Sequence, residues 1–419
     1  MGMRKSVCGV VVVCALQVLA ACTGAPTSSR SDAEPPPGAQ PSTSIVAGPE
    51  PHDSQPTRTM PSATTSASDP AVSVAVAEGA AGRDEVAMVT DGVATLAGRE
   101  VVLRHQPRDG LGGSLVPWAV PAADGSVYYT TWEQQEDPDQ PDAGRDGAVP
   151  VIRRMGPDGA DRAWREGAYA PAVSVEGAVA YVEDLDGAYR GDVANPSRIV
   201  VVEPDGTSVP WTRGADVTYV TAAWAGSTLL AYTVGEGEHL SVLAFDGSGE
   251  ARVLSEDGAI GAISPDGVFV VTTEPGPDGQ AISLMRVSDG TVLDRLEAFG
   301  ELGEMYLSYG GDWRDGLVVL PAGRTAPGRS EVGLLLLSVD GHELMVERFV
   351  AFDHPEIGYI PDWPHFIDDR RVWARASTTV GRDELYVGVE CDLVELRCST
   401  TSEPTAPANA AVARNLSRG

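Results

Sequence analysis

The chain has 419 residues, among them 47 glycines and 31 prolines, and a formal net charge of −30. Glycine and proline at that density interrupt long helices and point to an all-β chain of short strands. The charge repels nucleic acid and anionic headgroups at long range and disfavours both as partners. Lys5 is the sole lysine, so a mature chain without its leader has no side-chain amine for Schiff-base chemistry.

Residues 1–21 have the make-up of an export leader: Arg4 and Lys5, an apolar run from 7 to 19, then small residues. The run is too short to span a bilayer. Leu19-Ala20-Ala21-Cys22 resembles the lipobox of bacterial lipoproteins. The resemblance implies cleavage before Cys22, lipidation of its thiol with palmitate-like chains, and anchorage on the extracytoplasmic side of the cell membrane. Residues 22–70 are rich in Pro, Ser, Thr and Ala and carry almost no large apolar side chains. Such a segment cannot bury enough surface to offset its ordering entropy, and it is expected to be a disordered tether spanning roughly 35–45 Å by coil statistics.

From Ala71 the composition changes to short apolar runs separated by turn residues. Runs at 85–90, 93–96 and 101–105 flank Asp91-Gly92. Beyond them two turn series interleave. The first is Asp124-Gly125, Glu176-Gly177, Ala225-Gly226, Asp266-Gly267, Asp315-Gly316 and, less cleanly, Asp369-Arg370. The second is Asp158-Gly159, Asp205-Gly206, Asp246-Gly247, Asp289-Gly290 and Asp340-Gly341. Successive glycines lie 52, 49, 41 and 49 residues apart in the first series and 47, 41, 43 and 51 apart in the second. A unit of that length holding two hairpins is the period of a four-stranded propeller blade. Residues 71–400 are therefore expected to form a β-propeller, six full repeats plus the N-terminal strands giving seven blades, with six as the alternative. Residues 401–419 read as a disordered tail. Cys391 and Cys398 are separated by six residues in an exported chain, and a disulfide that pins the last hairpin at the ring closure is expected.

Ser264-Pro265-Asp266-Gly267 and the Pro-Asp-Gly or Asp-Gly cores of the other repeats resemble the WD40-like and TolB-like propeller repeats found in bacterial envelope proteins. The resemblance covers roughly residues 84–400 and implies the propeller fold and a habit of binding; the Gly-His and Trp-Asp pairs of true WD40 repeats are missing. Propellers host many unrelated functions, so the site must be argued from its own residues. With the four strands of each repeat labelled A to D from the centre of the ring outward, the A–B and C–D turns are short and the B–C and D–A loops long, which places an expected site on the long-loop face or in the channel mouth.

Several residue groups could carry chemistry. The connection into the last blade holds Asp353, His354, Glu356, Tyr359, Asp362, Trp363, His365 and Asp368. Asp353, His354, Glu356, Asp362 and His365 are the candidates for general acid–base or metal chemistry, against a solvated loop with Trp363 and Phe366 packed inward. Asp137, Asp139 and Asp142 in one acidic loop, with Asp184 and Asp186 in its equivalent, supply oxygens suited to Ca²⁺, although neither loop has EF-hand spacing. Trp118, Trp224, Trp313 and Trp373 either fill the wedges between blades or stack on a ligand. Arg324 and Arg329 could clamp an anion bidentately, or could simply keep the surface soluble. There is no Gly-x-Ser-x-Gly elbow and no His-Glu-x-x-His helix, so a binding or scaffold role for an envelope protein, peptide or glycan leads. A glycan-acting hydrolase or lyase using channel carboxylates, and a calcium-stabilised structural module, are the alternatives.

Overall fold

Turn chemistry dictates where the chain reverses. Gly125, Gly177, Gly226, Gly267 and Gly316 take positive φ, as do Gly159, Gly206, Gly290 and Gly341 in the second series. The preceding aspartate locks many of these turns by accepting the backbone N–H two residues on. Asp124 accepts from Ser126 (2.8 Å), Asp158 from Ala160 (3.1 Å), Asp205 from Thr207 (2.8 Å), Asp266 from Val268 (3.0 Å) and Asp289 from Thr291 (2.9 Å). Two turns differ from the sequence reading. The positive φ expected at Gly247 falls on Gly249, and in the last blade Asp368, not Asp369, accepts from Arg370 (2.9 Å) and Arg371 (2.8 Å).

The computed structural model describes residues 70–77, 88–90, 93–96, 99–102, 119–134, 148–185, 196–212, 218–234, 240–247, 249–276, 279–308, 310–380, 383–401 and 410–412. Among these there is no α-helix, only a single 3-10 turn at Gly300–Leu302. β1 (Ala71–Ala77) precedes the blades. Blade 1 holds β2 (Met88–Thr90), β3 (Val93–Leu96) and β4 (Arg99–Val102). Blade 2 holds β5 (Ala119–Pro121), β6 (Val127–Gln134), β7 (Ala148–Met155) and β8 (Asp161–Glu166). Blade 3 holds β9 (Ala168–Val173), β10 (Val179–Asp184), β11 (Ser197–Val202) and β12 (Ser208–Pro210). Blade 4 holds β13 (Thr218–Ala225), β14 (Thr228–Val234), β15 (Leu240–Phe245) and β16 (Ala251–Ser255). Blade 5 holds β17 (Ala259–Ile263), β18 (Phe269–Gly276), β19 (Gly279–Arg286) and β20 (Val292–Leu296). Blade 6 splits its first strand into β21 (Met305–Leu307) and β22 (Asp312–Arg314), followed by β23 (Leu317–Ala326), β24 (Arg329–Asp340) and β25 (Glu343–Asp353). Blade 7 holds β26 (Asp362–Phe366), β27 (Arg371–Val380), β28 (Asp383–Asp392) and β29 (Arg397–Thr400), and β30 (Ala410–Val412) follows it. Within each blade the strands pair antiparallel in chain order, which makes an all-β propeller of seven blades.

The core lies between blades. Side chains alternate across a strand, so a strand packed on both faces reads as one apolar run. In β11, Ile199 and Val201 join Leu229, Leu243 and Phe245 of blade 4, while Val200 and Val202 join Tyr128 and Ile152 of blade 2. The first strands carry a recurrent bulge, between Ile260 and Ala262 in β17 and between Asp362 and His365 in β26, for example. A bulge turns backbone groups out of the ladder, and here they bond the neighbouring blade. Ala170 N–H donates to Thr130 Oγ1 (3.2 Å), Thr221 Oγ1 donates to Ala170 O, and Gly310 N–H donates to Ile260 O (3.2 Å).

β30 lies within 401–419, the segment read from sequence as a disordered tail. It pairs antiparallel with β2, Ala410 opposite Thr90 and Val412 opposite Met88, and so supplies blade 1 with its fourth strand and closes the ring. The Cys391–Cys398 disulfide (S–S 2.05 Å) is not at that closure. It joins β28 to β29 at the outer edge of blade 7, beside β1. β1 runs parallel to both neighbours, with Ala71–Ala75 opposite 349–353 of β25 and Val76–Ala77 opposite 398–399 of β29. The outer edges of blades 6 and 7 are thereby one continuous sheet.

Candidate functional site

A groove of about 450 Å³ opens between blades 2 and 3 on the side of the short A–B and C–D turns. Its apolar floor is Tyr128, Trp164, Val173, Val179 and Val202, and its rim carries Asp124, Arg154, Glu176 and Glu203. Trp164, on the outermost strand of blade 2, wedges between the blades: its ring meets Tyr128 edge-on at 5.1 Å and Tyr181 of blade 3 at 5.6 Å. Trp211 occupies the equivalent place one repeat later, where it packs edge-on against Trp224 at 5.6 Å and Trp224 Nε1–H donates to Ala172 O (3.2 Å). Trp224 pairs with Leu229 as Val173 pairs with Val179. Valine therefore stands at the blade 2–3 seam where the next seam has an indole, and the missing volume is the groove.

The rim is electrostatically set. Arg154 donates to Asp124 Oδ2 (2.7 Å) and to Ser126 Oγ (2.9 and 3.1 Å), and its guanidinium lies 5.6 Å from the Tyr128 ring centre. Burial opposes ionisation of Asp124, but the N–H and hydroxyl of Ser126 together with the Arg154 guanidinium outweigh it and hold the carboxyl below its ordinary range. Glu176 and Glu203 are exposed, and among the described residues their carboxylates have no hydrogen bond or ion pair. The arrangement offers apolar and aromatic contact on the floor and uncompensated negative charge on the rim.

The residues singled out from sequence are distributed elsewhere. Asp353 is exposed at the end of β25, and His354 Nδ1 accepts the Glu356 N–H (3.2 Å) within its own turn. Asp362 accepts from buried Arg375 (2.7 Å), His365 tilts against Trp373 (5.1 Å), and Asp368 pairs with Arg371 (2.7 Å). Among the described residues no three His, Cys, Asp or Glu side chains come together as a metal site. Asp184 is buried at the end of β10, while Asp137, Asp139, Asp142, Asp186, Trp118 and Cys22 lie outside the described residues. Trp313 and Trp373 are buried core residues and Trp224 is a seam residue. Arg324 and Arg329 are not on a loop. They flank the turn of the β23–β24 hairpin, and both grip Glu331, at 2.7 and 2.6 Å, so they share one carboxylate of the chain itself.

The sequence reading looked to the long-loop face, whereas this groove is on the opposite side. In the sequence, Met155-Gly-Pro-Asp-Gly-Ala-Asp-Arg-Ala-Trp164 aligns with Val202-Glu-Pro-Asp-Gly-Thr-Ser-Val-Pro-Trp211, and Trp164 is the end of that repeat. That alignment marks a seam position but not which seam is left open.

Among solved structures the chain is similar to TolB from Acinetobacter baumannii, with a TM-score of 0.38 and 13% identity over 68% of this chain and 66% of that one. A putative TolB from Agrobacterium tumefaciens gives 0.37 and 13% over 57% of this chain and 83% of that one. The first match thus spans slightly less than two thirds of the Acinetobacter protein. No protein-family model matches the chain, and no curated protein does. Among the described residues no helix is long and apolar enough to cross a membrane.

Proposed function

We propose that the chain is a binding module held at the outer side of the cell membrane by lipid on Cys22, and that it takes an envelope partner in the groove between blades 2 and 3. The observation that carries the reading is the exchange of indole for isopropyl at Val173, which leaves Trp164 and Tyr128 lining an open slot, aromatic at its floor and charged at its rim, at an otherwise packed seam. Aromatic side chains beside a rigid backbone give large contact area at little entropic cost. A leader, a lipobox and a Pro/Ser/Thr-rich tether support the anchor, and the tether raises the local concentration of domain and partner.

The test uses the full chain in cells, with a photo-reactive phenylalanine analogue at Val175 on the groove lip or at Val394 on the hairpin of blade 7, which are 52% and 68% exposed. The expected result is a discrete adduct from position 175 that is absent from position 394. It should disappear when the groove is filled by Val173→Trp or stripped by Trp164→Ala, each checked for folding by circular dichroism. An adduct that survives both variants, or none specific to position 175, overturns the assignment. The anchor is read separately. An alkynyl fatty acid should label the wild type and leave Cys22→Ser unlabelled and released from membranes, whereas label on the variant refutes the anchor.

A further inference from the structure

We infer that the groove selects an extended, positively charged peptide segment, with an arginine or lysine side chain carried between aliphatic residues. The inference rests on the groove being the binding site and adds the chemical class of its occupant. Four charged side chains line the slot. Arg154 and Asp124 are spent on each other, which leaves the carboxylates of Glu176 and Glu203 facing the opening without a cation of their own among the described residues. They come from different turns of blade 3, Glu176 from β9–β10 and Glu203 from β11–β12, so they flank a segment lying along the seam. Asp205, exposed at the tip of the second turn, adds to the same field.

The floor favours the same occupant. Arg165, at 4.4 Å from Trp164, and Arg154, at 5.6 Å from Tyr128, already stand on these rings, so the floor offers an incoming segment apolar contact and the attraction for its cation comes from the two glutamates. Val173, Val179 and Val202, all buried, back the slot and leave a narrow apolar strip beside Trp164 for an aliphatic neighbour of the basic residue. An anionic or phosphorylated ligand would meet the two glutamates directly and be repelled. A neutral glycan could stack on Trp164 but would leave the carboxylates without counter-charge, so the peptide is the better match.

A domain with a net charge of −30 attracts any polycation, so the experiment must separate the groove from the bulk field. The probes are fluorescently labelled Val-Arg-Val-Arg-Val, its Val-Glu-Val-Glu-Val counterpart and an N-acetylglucosamine tetramer, titrated by anisotropy against the purified full chain. The expected result is a preference of about tenfold or more for the arginine peptide over the glutamate peptide at low salt, weakening as salt is raised. The double variant Glu176→Gln, Glu203→Gln removes two charges of a net thirty. A non-specific attraction would hardly change, whereas groove selection should fall by about tenfold. Trp164→Ala should weaken every groove ligand alike. Equal binding of the two peptides, both lost in Trp164→Ala, would leave the groove standing and overturn the charge inference. Binding of the tetramer alone would do the same. Arginine-peptide binding untouched by Trp164→Ala or Val173→Trp would overturn the groove itself, and no binding by any probe at millimolar concentration overturns the proposed selectivity.

Discussion

An aspartate before a turn glycine serves twice, because its carboxylate replaces a backbone acceptor while the glycine takes the φ that other residues resist. The N–H groups of Thr207, Thr291 and Glu395 hold the carboxyls of Asp205, Asp289 and Asp392 below their ordinary range, Asp289 at about 2. At Asp124 and Asp368 burial works in the opposite sense and is outweighed by backbone N–H donors and by Arg154 and Arg371. A carboxylate whose pKa is lower folded than unfolded contributes stability that is complete above its unfolded value and is lost as pH falls toward the folded one. The melting temperature should therefore be flat above about pH 5 and fall steadily between about pH 4 and 2, where these turns protonate. A melting curve unchanged down to pH 2 would contradict the turn account. Sterics give a second prediction. At Gly267 (φ 70°) a Cβ would stand 2.2 Å from the Gly226 nitrogen of the adjacent blade's turn, whereas at Gly341 (φ 62°) it would meet nothing within 4 Å. Gly267→Ala should cost about 2–3 kcal/mol and Gly341→Ala about 1, read from urea unfolding. Equal losses would mean that the two turns do not touch. These turns were legible in the sequence because φ and carboxylate acceptance are local, and the misplaced ones, at Gly249 and Asp368, are those where the extra residue of the turn is set by strand register.

Seven residues of alternating Ala, Val and Ser make β1 a strand on local grounds, but its partners lie some 270 to 320 positions later, at 349–353 and 398–399, so nothing near it in sequence encodes the parallel pairing. What selects the place is the pair of outer edges that β25 and β29 would otherwise expose, and covered edges do not recruit other chains. Val74 and Val76 pack in the same cluster as Cys391 and Cys398, so strand and disulfide stabilise one another's surroundings. Removal of 71–77 should leave a folded propeller that self-associates with rising concentration, seen by light scattering, and a monodisperse truncated chain would show that the edges need no cover. The bridge closes a short loop, its cysteines seven positions apart, and the chain-entropy relation assigns such a loop about 2–3 kcal/mol. Cys391→Ser with Cys398→Ser should lower the unfolding free energy by that amount in oxidising buffer, and an unchanged midpoint would mean that β1 and the β-ladder already fix the hairpin.

Repetition makes blades 2 to 7 nearly one-dimensional, each packed on the next, and function enters where the repeats are unequal. The period narrowed the blade count to seven or six, but the groove depends on Val173 standing where Trp224 stands one seam later, a comparison that requires the strand register and is hidden by the bulges in β9 and β13. Closure is the other unequal point. Every blade but the first takes its four main strands from one stretch of chain, whereas blade 1 borrows β30 after more than three hundred intervening residues. Three residue pairs hold that joint, so opening it should be a low-energy excursion compared with unfolding blades 3 to 6, whose seams are filled by large apolar clusters. A chain ended after Thr401 should keep its sheet content and melt a few degrees lower. Its amide exchange should rise first in β2 to β4, while β14, β18 and β24 stay protected. Uniform loss of protection would mean that the ring stands or falls as one unit, and unchanged protection of β2 would mean that β30 does not close it.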